Sequence, residues 1–556
     1  MSTVGRSVLQ HDDDETRGGG WRELLAVVLV AAGLTSLVTY PWVFRMGRAA
    51  RIDSFDGQFS IWNIAWVART LVAHPGHILD ANIFYPYRGT LGFSEMNLGA
   101  GVLAIPAYWA TRNPYLAHDS AVLVAFALSM TSTYYLARYL TRDRMAAGVA
   151  AICFAFCPYV FARTTQVQLQ MTFGLPLMML AFHRMVDRAT IGRAMALGAA
   201  MACQTYFCAY YGVFGVLMVG FSLLVVATTR QRWRAQRYWW TAAVAFGLAL
   251  TLVLPLYAPY LLLSQDTGFT RTLNDARRAS SDWRSYLASS AVAHRWMLGW
   301  IGHWKDVDFP GFAATSFGLA GLWTGWRDRG RRELVVLYGG IAFLSLWASW
   351  GPDAGLYWVL YRFVPPFAIM RGPSRFALLV VFGLSVLAAI GLRAALARVT
   401  RPVLVGAAVA VVTASELAIP LVFPDVPPTH AVYTVLARQP RAPVIELPFY
   451  WRGRFPWHTP YMLASTVHWM PLVNGFSDWI PPSFVDAAPM LATFPSIEAF
   501  KELQKDGVRY AVFHLDRYEA PARSKVEASL EDFASYLRPL YVADDTRLYE
   551  IIAWPP

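Results

Sequence analysis

Charge is scarce in this chain. Only 15% of its 556 residues are Asp, Glu, Lys or Arg, against nearer a quarter in a soluble domain. Cysteine is scarcer still: Cys153, Cys157, Cys203 and Cys208 all lie in or beside apolar runs, so no disulfide framework is implied. Cys153 and Cys157 share a helix face, but no His or carboxylate flanks them, and they read as packing residues rather than metal ligands. Missing too are a GxxxxGK[ST] phosphate loop, a Gly-rich dinucleotide turn, a GxSxG elbow and an HExxH helix, which removes the nucleotide-driven and common hydrolytic chemistries. No basic stripe interleaved with exposed aromatics occurs on a soluble module, so nucleic acid is not the expected partner despite a net charge of +12. The N-terminus lacks the basic start and short apolar core of a signal peptide. With Asp12 to Glu15 followed by Gly18 to Gly20, residues 1–22 read as a disordered cytoplasmic tail.

What the chain has in abundance is apolar sequence, 56% of all residues, with a mean hydropathy of +0.36. The first run long enough to cross a bilayer is Leu24 to Phe44. Later runs fall near Ala121–Leu140, Met145–Ala162, Met171–Val186, Ala194–Phe207, Tyr211–Ala227, Trp239–Leu263, Phe312–Trp326, Leu334–Trp350, Phe376–Ala397 and Pro402–Phe423. The expected fold is a polytopic α-helical membrane protein with about eleven spanning helices in residues 23–423.

Arginine gives this array a direction. Arg142 and Arg144, Arg188 and Arg193, Arg230 to Arg237, Arg327 to Arg332, and Arg398 with Arg401 mark tight loops after every second span. The positive-inside rule makes those loops, and the N-terminus, cytoplasmic. The long segments 45–119, 264–311 and 351–375, and everything after Pro424, then lie outside. Residues 424–556 read as an extracytoplasmic α/β domain. Its strands are expected at Val444–Leu447, Val508–His514 and Leu548–Ile552, and its helices at Ile497–Gln504 and Lys525–Leu537.

The residues that could carry chemistry gather in the outer segments. In "RIDSFDGQFSIWNIAW" Asp56 stands where a helix should begin and run to about His74. Asp56, Ser60, Asn63, Thr70 and His74 share one stripe, with Phe59, Trp62 and Trp66 beside it, a pattern that suits a helix lying in the membrane–water interface. Asp56 reads as an N-cap, a role compatible with catalysis. Asp53 is a second carboxylate nearby, and Asp80 and Glu95 lie further along. Gathered carboxylates serve as a general base or hold a divalent cation, whose identity the spacing leaves open.

Arg88, Arg163, Arg371 and Arg375 stand near outer boundaries, against the positive-inside trend. Guanidinium groups there either grip phosphate or snorkel to lipid headgroups. Arg371 and Arg375 make the better pair, because Gly372 and Pro373 place them in one turn. Gln166 and Gln168, with Asn63, either line a sugar or acceptor pocket or bond neighbouring helices. His458, His468 and His514 lack metal-ligand spacing.

Four segments carry a family resemblance: "DGQFSIWNIAW" with "NIFYPYRG"; "ASSDWRSYL"; "MRGPSRFALLV"; and "VIELPFYW" through "STVHWMPLVNGFSDWIPP" to "GVRYAVFH". On these the chain resembles the GT-C glycosyltransferase superfamily, in the style of YfhO-like bacterial membrane proteins. The resemblance implies a cytoplasmic-membrane enzyme that moves a sugar from a polyprenyl-phosphate donor to a glycan, lipid or protein acceptor at the outer face, generally with inversion. It assigns the base or acceptor-orienting role to Asp56, with Asp53 as second choice. Many superfamily members carry an adjacent acidic pair at this point, where this chain has Gly57. A transporter or flippase of lipid-linked saccharides and a non-catalytic envelope assembly protein are the alternatives. Long polar outer loops favour the enzyme over the transporter.

Overall fold

A computed structural model describes residues 4–267, 270–543 and 545–556. Residues 1–3 of the expected tail lie outside the described residues. The chain divides into two compact units. The first is Met1–Phe44, Val122–Thr164 and Gln168–Val422; the second is Arg45–Ala121, Thr165–Val167 and Phe423–Pro556.

The first unit is helical throughout. A helix from Val4 to Val38 runs back through Asp12 to Glu15, residues expected in a disordered tail. Each later apolar run is also a helix, from Pro114–Thr141 to Pro402–Glu416. The chain is thus a polytopic helical membrane protein. Among the described residues, seven helical stretches are long and apolar enough to cross a bilayer, and Pro402–Glu416 is a shorter apolar helix. Arg144–Ala155 gives way to Pro158–Ala162 because Cys157, preceding a proline, is extended.

Close backbone approach holds these helices together. Phe312–Arg327 turns Ala314, Gly318, Gly321 and Gly325 inward, against Ala377–Leu396. A Cβ at Gly321 would collide with the Leu387 carbonyl, and one at Gly391 with that of Phe317. Small residues that admit this proximity drive helix association in lipid, where burial of apolar area does not.

Helix ends are tied by charge. Arg230 reaches Asp187 at 3.1 Å and Glu333 at 2.8 Å, and Glu23 binds Arg144 at 3.3 Å and the Tyr134 hydroxyl at 2.7 Å. All these groups flank loops that the arginine pattern assigns to one side. From ends assigned to the other side, Glu416 accepts from the backbone N–H groups of Phe312 and Ala313 and meets His294 Nε2 at 3.1 Å.

The second unit joins the 45–121 segment to the C-terminal residues. Strands β1 (Val444–Leu447), β2 (Tyr510–His514), β3 (Leu537–Ala543) and β4 (Thr546–Ile551) form one sheet in the order β1-β2-β4-β3. β1 and β2 are parallel, and the other pairs are antiparallel. The segment after residue 79 is stitched to this region: Phe84 N donates to Asn474 O at 3.2 Å and Tyr85 N to Leu472 O at 2.9 Å.

The helix Phe55–Ala73 is therefore not a flat interfacial element with its tryptophans among headgroups. Trp62 and Trp66 are buried. Trp62 Nε1 donates to Asn82 Oδ1 at 3.1 Å, and Trp66 Nε1 to Ile78 O at 3.0 Å. An indole that finds a partner for its N–H is well placed in a protein core. The same helix packs on Leu98–Thr111, where Gly101 admits Val67.

Candidate functional site

The candidate residues fall in both units, one group in each. In the second unit Ser54, not Asp56, is the N-cap: its hydroxyl accepts from Gly57 N at 3.3 Å. Ser is among the preferred caps, and with the first turn satisfied in this way Asp56 need not turn inward. Asp56 instead lies exposed in that turn, where a negative charge suits the helix N-terminus. Gln166 Nε2 donates to Asp56 Oδ2 at 3.1 Å, so two residues singled out from sequence meet.

The helix carrying Asp56 is braced from several directions. Gln58 Nε2 donates to Ile52 O at 2.6 Å, and Gln58 Oε1 accepts from Thr459 Oγ1 at 2.9 Å. Phe55 lies against Trp457 with ring centroids 5.6 Å apart, and Ser60 Oγ donates to Thr165 O at 3.0 Å. Gly57 explains the missing acidic pair, since any Cβ there would collide with the Arg51 carbonyl oxygen.

The other carboxylates do not join Asp56. Asp53 pairs with Arg51 at 2.8 Å. Asp80 holds a turn by accepting from Gly89 N at 2.9 Å. Glu95 contributes its backbone carbonyl, which accepts from Asn63 and Asn97, each at 3.3 Å. Asn63 is buried, and its Oδ1 finds no partner among the described residues. Arg88 is exposed. Among the described residues no group of three His, Cys, Asp or Glu side chains is placed to hold a metal ion.

In the first unit the turn Arg371–Arg375 is shaped as its sequence implies. Gly372 has φ +101°, and Pro373 opens a short 3-10 turn, Pro373–Phe376, that leads into Ala377–Leu396. Tyr210 joins both arginines: its hydroxyl accepts from Arg371 N at 3.2 Å, and its ring lies 3.8 Å beneath the Arg375 guanidinium. Arg375 Nη1 is buried without a hydrogen-bond partner among the described residues. A buried cationic donor left open in this way is costly unless an anion completes it.

Arg163, also expected to meet phosphate, is engaged otherwise. It reaches Asp306 at 2.6 Å and Asp308 at 3.9 Å, and its guanidinium lies 4.5 Å from the Tyr159 ring centroid. Burial opposes ionisation of Asp306, but Arg163 beside it holds its carboxyl below the usual range. Asp308 is raised, first by burial and then by the charge of Asp306. Ser281 Oγ donates to Asp308 Oδ2 at 2.6 Å. The sequence reading missed this pair; its trace there is "DVD", which on an extended segment turns both carboxylates to one face. Gln168 is half-buried in the turn Val167–Gln170.

No protein-family model matches the chain, and a search of curated proteins finds no relative. Solved structures do match. ArnT from Cupriavidus metallidurans bound to undecaprenyl phosphate is similar at 14% identity and a TM-score of 0.52, covering 97% of this chain and 100% of that one. Its apo state gives 15% identity and the same TM-score over 97% of this chain and 99% of that chain. The arabinofuranosyltransferase AftD from Mycobacteria is similar at 13% identity and a TM-score of 0.59, over 96% of this chain but 42% of that larger one. At such identities the likeness is one of fold alone, which this chain shares with ArnT and AftD.

Proposed function

We propose that this chain is a membrane glycosyltransferase that moves a sugar from a polyprenyl-phosphate donor to an acceptor at the outer face of the cytoplasmic membrane. The observation that carries the proposal is Asp56: an exposed carboxylate on a braced helix start, with one oxygen oriented by Gln166. The fold shared with undecaprenyl-phosphate-bound ArnT supports the choice of donor.

Asp56 Oδ1 takes the proton of an acceptor hydroxyl as its oxygen attacks the anomeric carbon. The bond from that carbon to the phosphate oxygen breaks, and the leaving lipid phosphate gains charge. Fixed guanidinium groups stabilise such charge best where water is sparse. In the first unit, Arg375, with its open Nη1, and Arg371 in the same turn are the candidates for holding a phosphate. The carrier bond is already activated, so no nucleotide site is needed.

The test is transfer by purified protein in lipid nanodiscs, with a panel of polyprenyl-phosphate sugars and wild type against Asp56→Asn. The substitution should reduce transfer by about 10²–10⁴-fold, the usual contribution of a general base. Equal transfer by both proteins would remove Asp56 from the mechanism. Lipid movement without transfer would favour the transporter.

A further inference from the structure

The second outer loop carries an aromatic surface that the proposed chemistry does not use. Its short helix Arg295–Ile301 is amphipathic in an unusual sense. Met297 and Ile301 are buried, while Trp296 is 53% and Trp300 83% exposed. The two indoles are four residues apart and touch edge to face, with centroids 5.1 Å apart. Trp283 and Trp304 in the same loop are exposed as well. Indoles left in water at this density are unfavourable; at the membrane–water interface they are preferred.

Two further observations identify what covers them. The first is depth. The Trp296 ring stacks parallel on Phe312, at 6.4 Å and 8°, and Phe312 is the first residue of Phe312–Arg327. That helix turns its glycines to Ala377–Leu396 and leaves Phe312, Leu319, Trp323 and Trp326 exposed on the other side. Leu319, Trp323 and Trp326, with Phe343, line an open apolar groove of about 680 Å³. Trp296 and Trp300 therefore continue an exposed apolar surface past the N-terminal end of Phe312–Arg327. The second observation is charge. Arg295, Lys305 and His303 are exposed around the indoles, and Arg284 lies 5.3 Å from the Trp283 ring centroid. Cations beside interfacial tryptophans meet anionic headgroups.

We infer that Arg295–Ile301 is an in-plane membrane anchor, with Trp296 and Trp300 at the headgroup–acyl boundary and Arg284, Arg295 and Lys305 on lipid phosphates. The inference rests on the proposed function only for the choice of the outer leaflet.

The experiment uses the full chain as a Trp300→Cys variant in nanodiscs containing phosphatidylglycerol, where both faces are open to reagent. Ala528→Cys, on the exposed face of Ala520–Asp532, is the aqueous reference, and the unsubstituted chain gives the background from its native thiols. A charged maleimide should label Cys at position 300 about tenfold more slowly than at 528, as expected for a group held at headgroup depth. A bimane placed at 300 should be quenched by brominated lipid. Labelling at the rate of the reference overturns the inference. Slow labelling without quenching also overturns it, because protein, such as a second copy, would then be the cover. Neither readout depends on sugar transfer, so this anchor and the transferase reading can fail separately.

Discussion

At the scale of single residues, Asp56 depends on its neighbours: Ser54 caps the helix that carries it, and Gln166 donates to one of its oxygens. Capping preference alone pointed to Asp56, whereas Ser54 two residues earlier takes the role. Local capping rules do not distinguish two good caps so close together. Gly57 is the sharper case, since its necessity lies in the approach of the Arg51 carbonyl, which no spacing reveals. Gly57→Ala should displace the Asp56 turn and cost about 1–3 kcal/mol through overpacking. The check is a chemical-denaturation curve together with the transfer assay, both impaired while Gln58 stays unchanged. His458 predicts a pH effect. It is buried: its Nε2 accepts from Tyr450 N at 2.9 Å, and its Nδ1 lies 3.0 Å from Gly475 O. Burial lowers its pKa from 6.5 to about 4. A base whose folded pKa is depressed stabilises the fold above its unfolded pKa. That contribution declines as the pH falls from 6.5 and is gone below about 4. The loss amounts to roughly 3 kcal/mol. Unfolding midpoints across this window should fall less steeply for His458→Gln than for wild type.

Elements were legible in proportion to their hydrophobic pattern. All the apolar runs are helices, and β1, β2 and β4 fall on the expected strands, because β1 and β2 are buried throughout and β4 alternates buried with half-buried residues over most of its length. β3 escaped notice: Arg538 and Pro539 are exposed, and a register shift separates Pro539 from Tyr541 on this edge strand. Edge strands tolerate proline and lose alternation at bulges. Leu98–Thr111 is a helix absent from the expected runs, since Pro106 interrupts its apolar sequence. The packing of Phe312–Arg327 was hidden for another reason, namely that glycine signals both flexibility and close approach. Here it is approach, and Gly321→Leu should force this helix off Ala377–Leu396. In detergent the variant should melt well below wild type, whereas Leu319→Ala on the exposed face should melt close to it. Similar melting of the two would mean that the helices do not depend on this contact.

For the whole molecule, two independent patterns agree. Arginine counts assign the loops near residues 142, 188, 230 and 330 to one side. In the structure the helix ends beside them are joined, Arg230 to both Asp187 and Glu333, and Glu23 to Arg144. Glu416, Phe312 and His294, assigned to the other side, are likewise joined. The grouping leaves one question for experiment, which is the face that meets the cytoplasm. A phosphatase reporter active only outside, fused after Pro556, should be active, and the same reporter inserted between Arg329 and Gly330 should be silent. The reverse result would keep every helix contact intact yet place Asp56, in the segment after the first span, on the cytoplasmic side. There an outward-presented polyprenyl-phosphate sugar would be out of its reach, so the orientation bears on the proposed chemistry as directly as any substitution in the site.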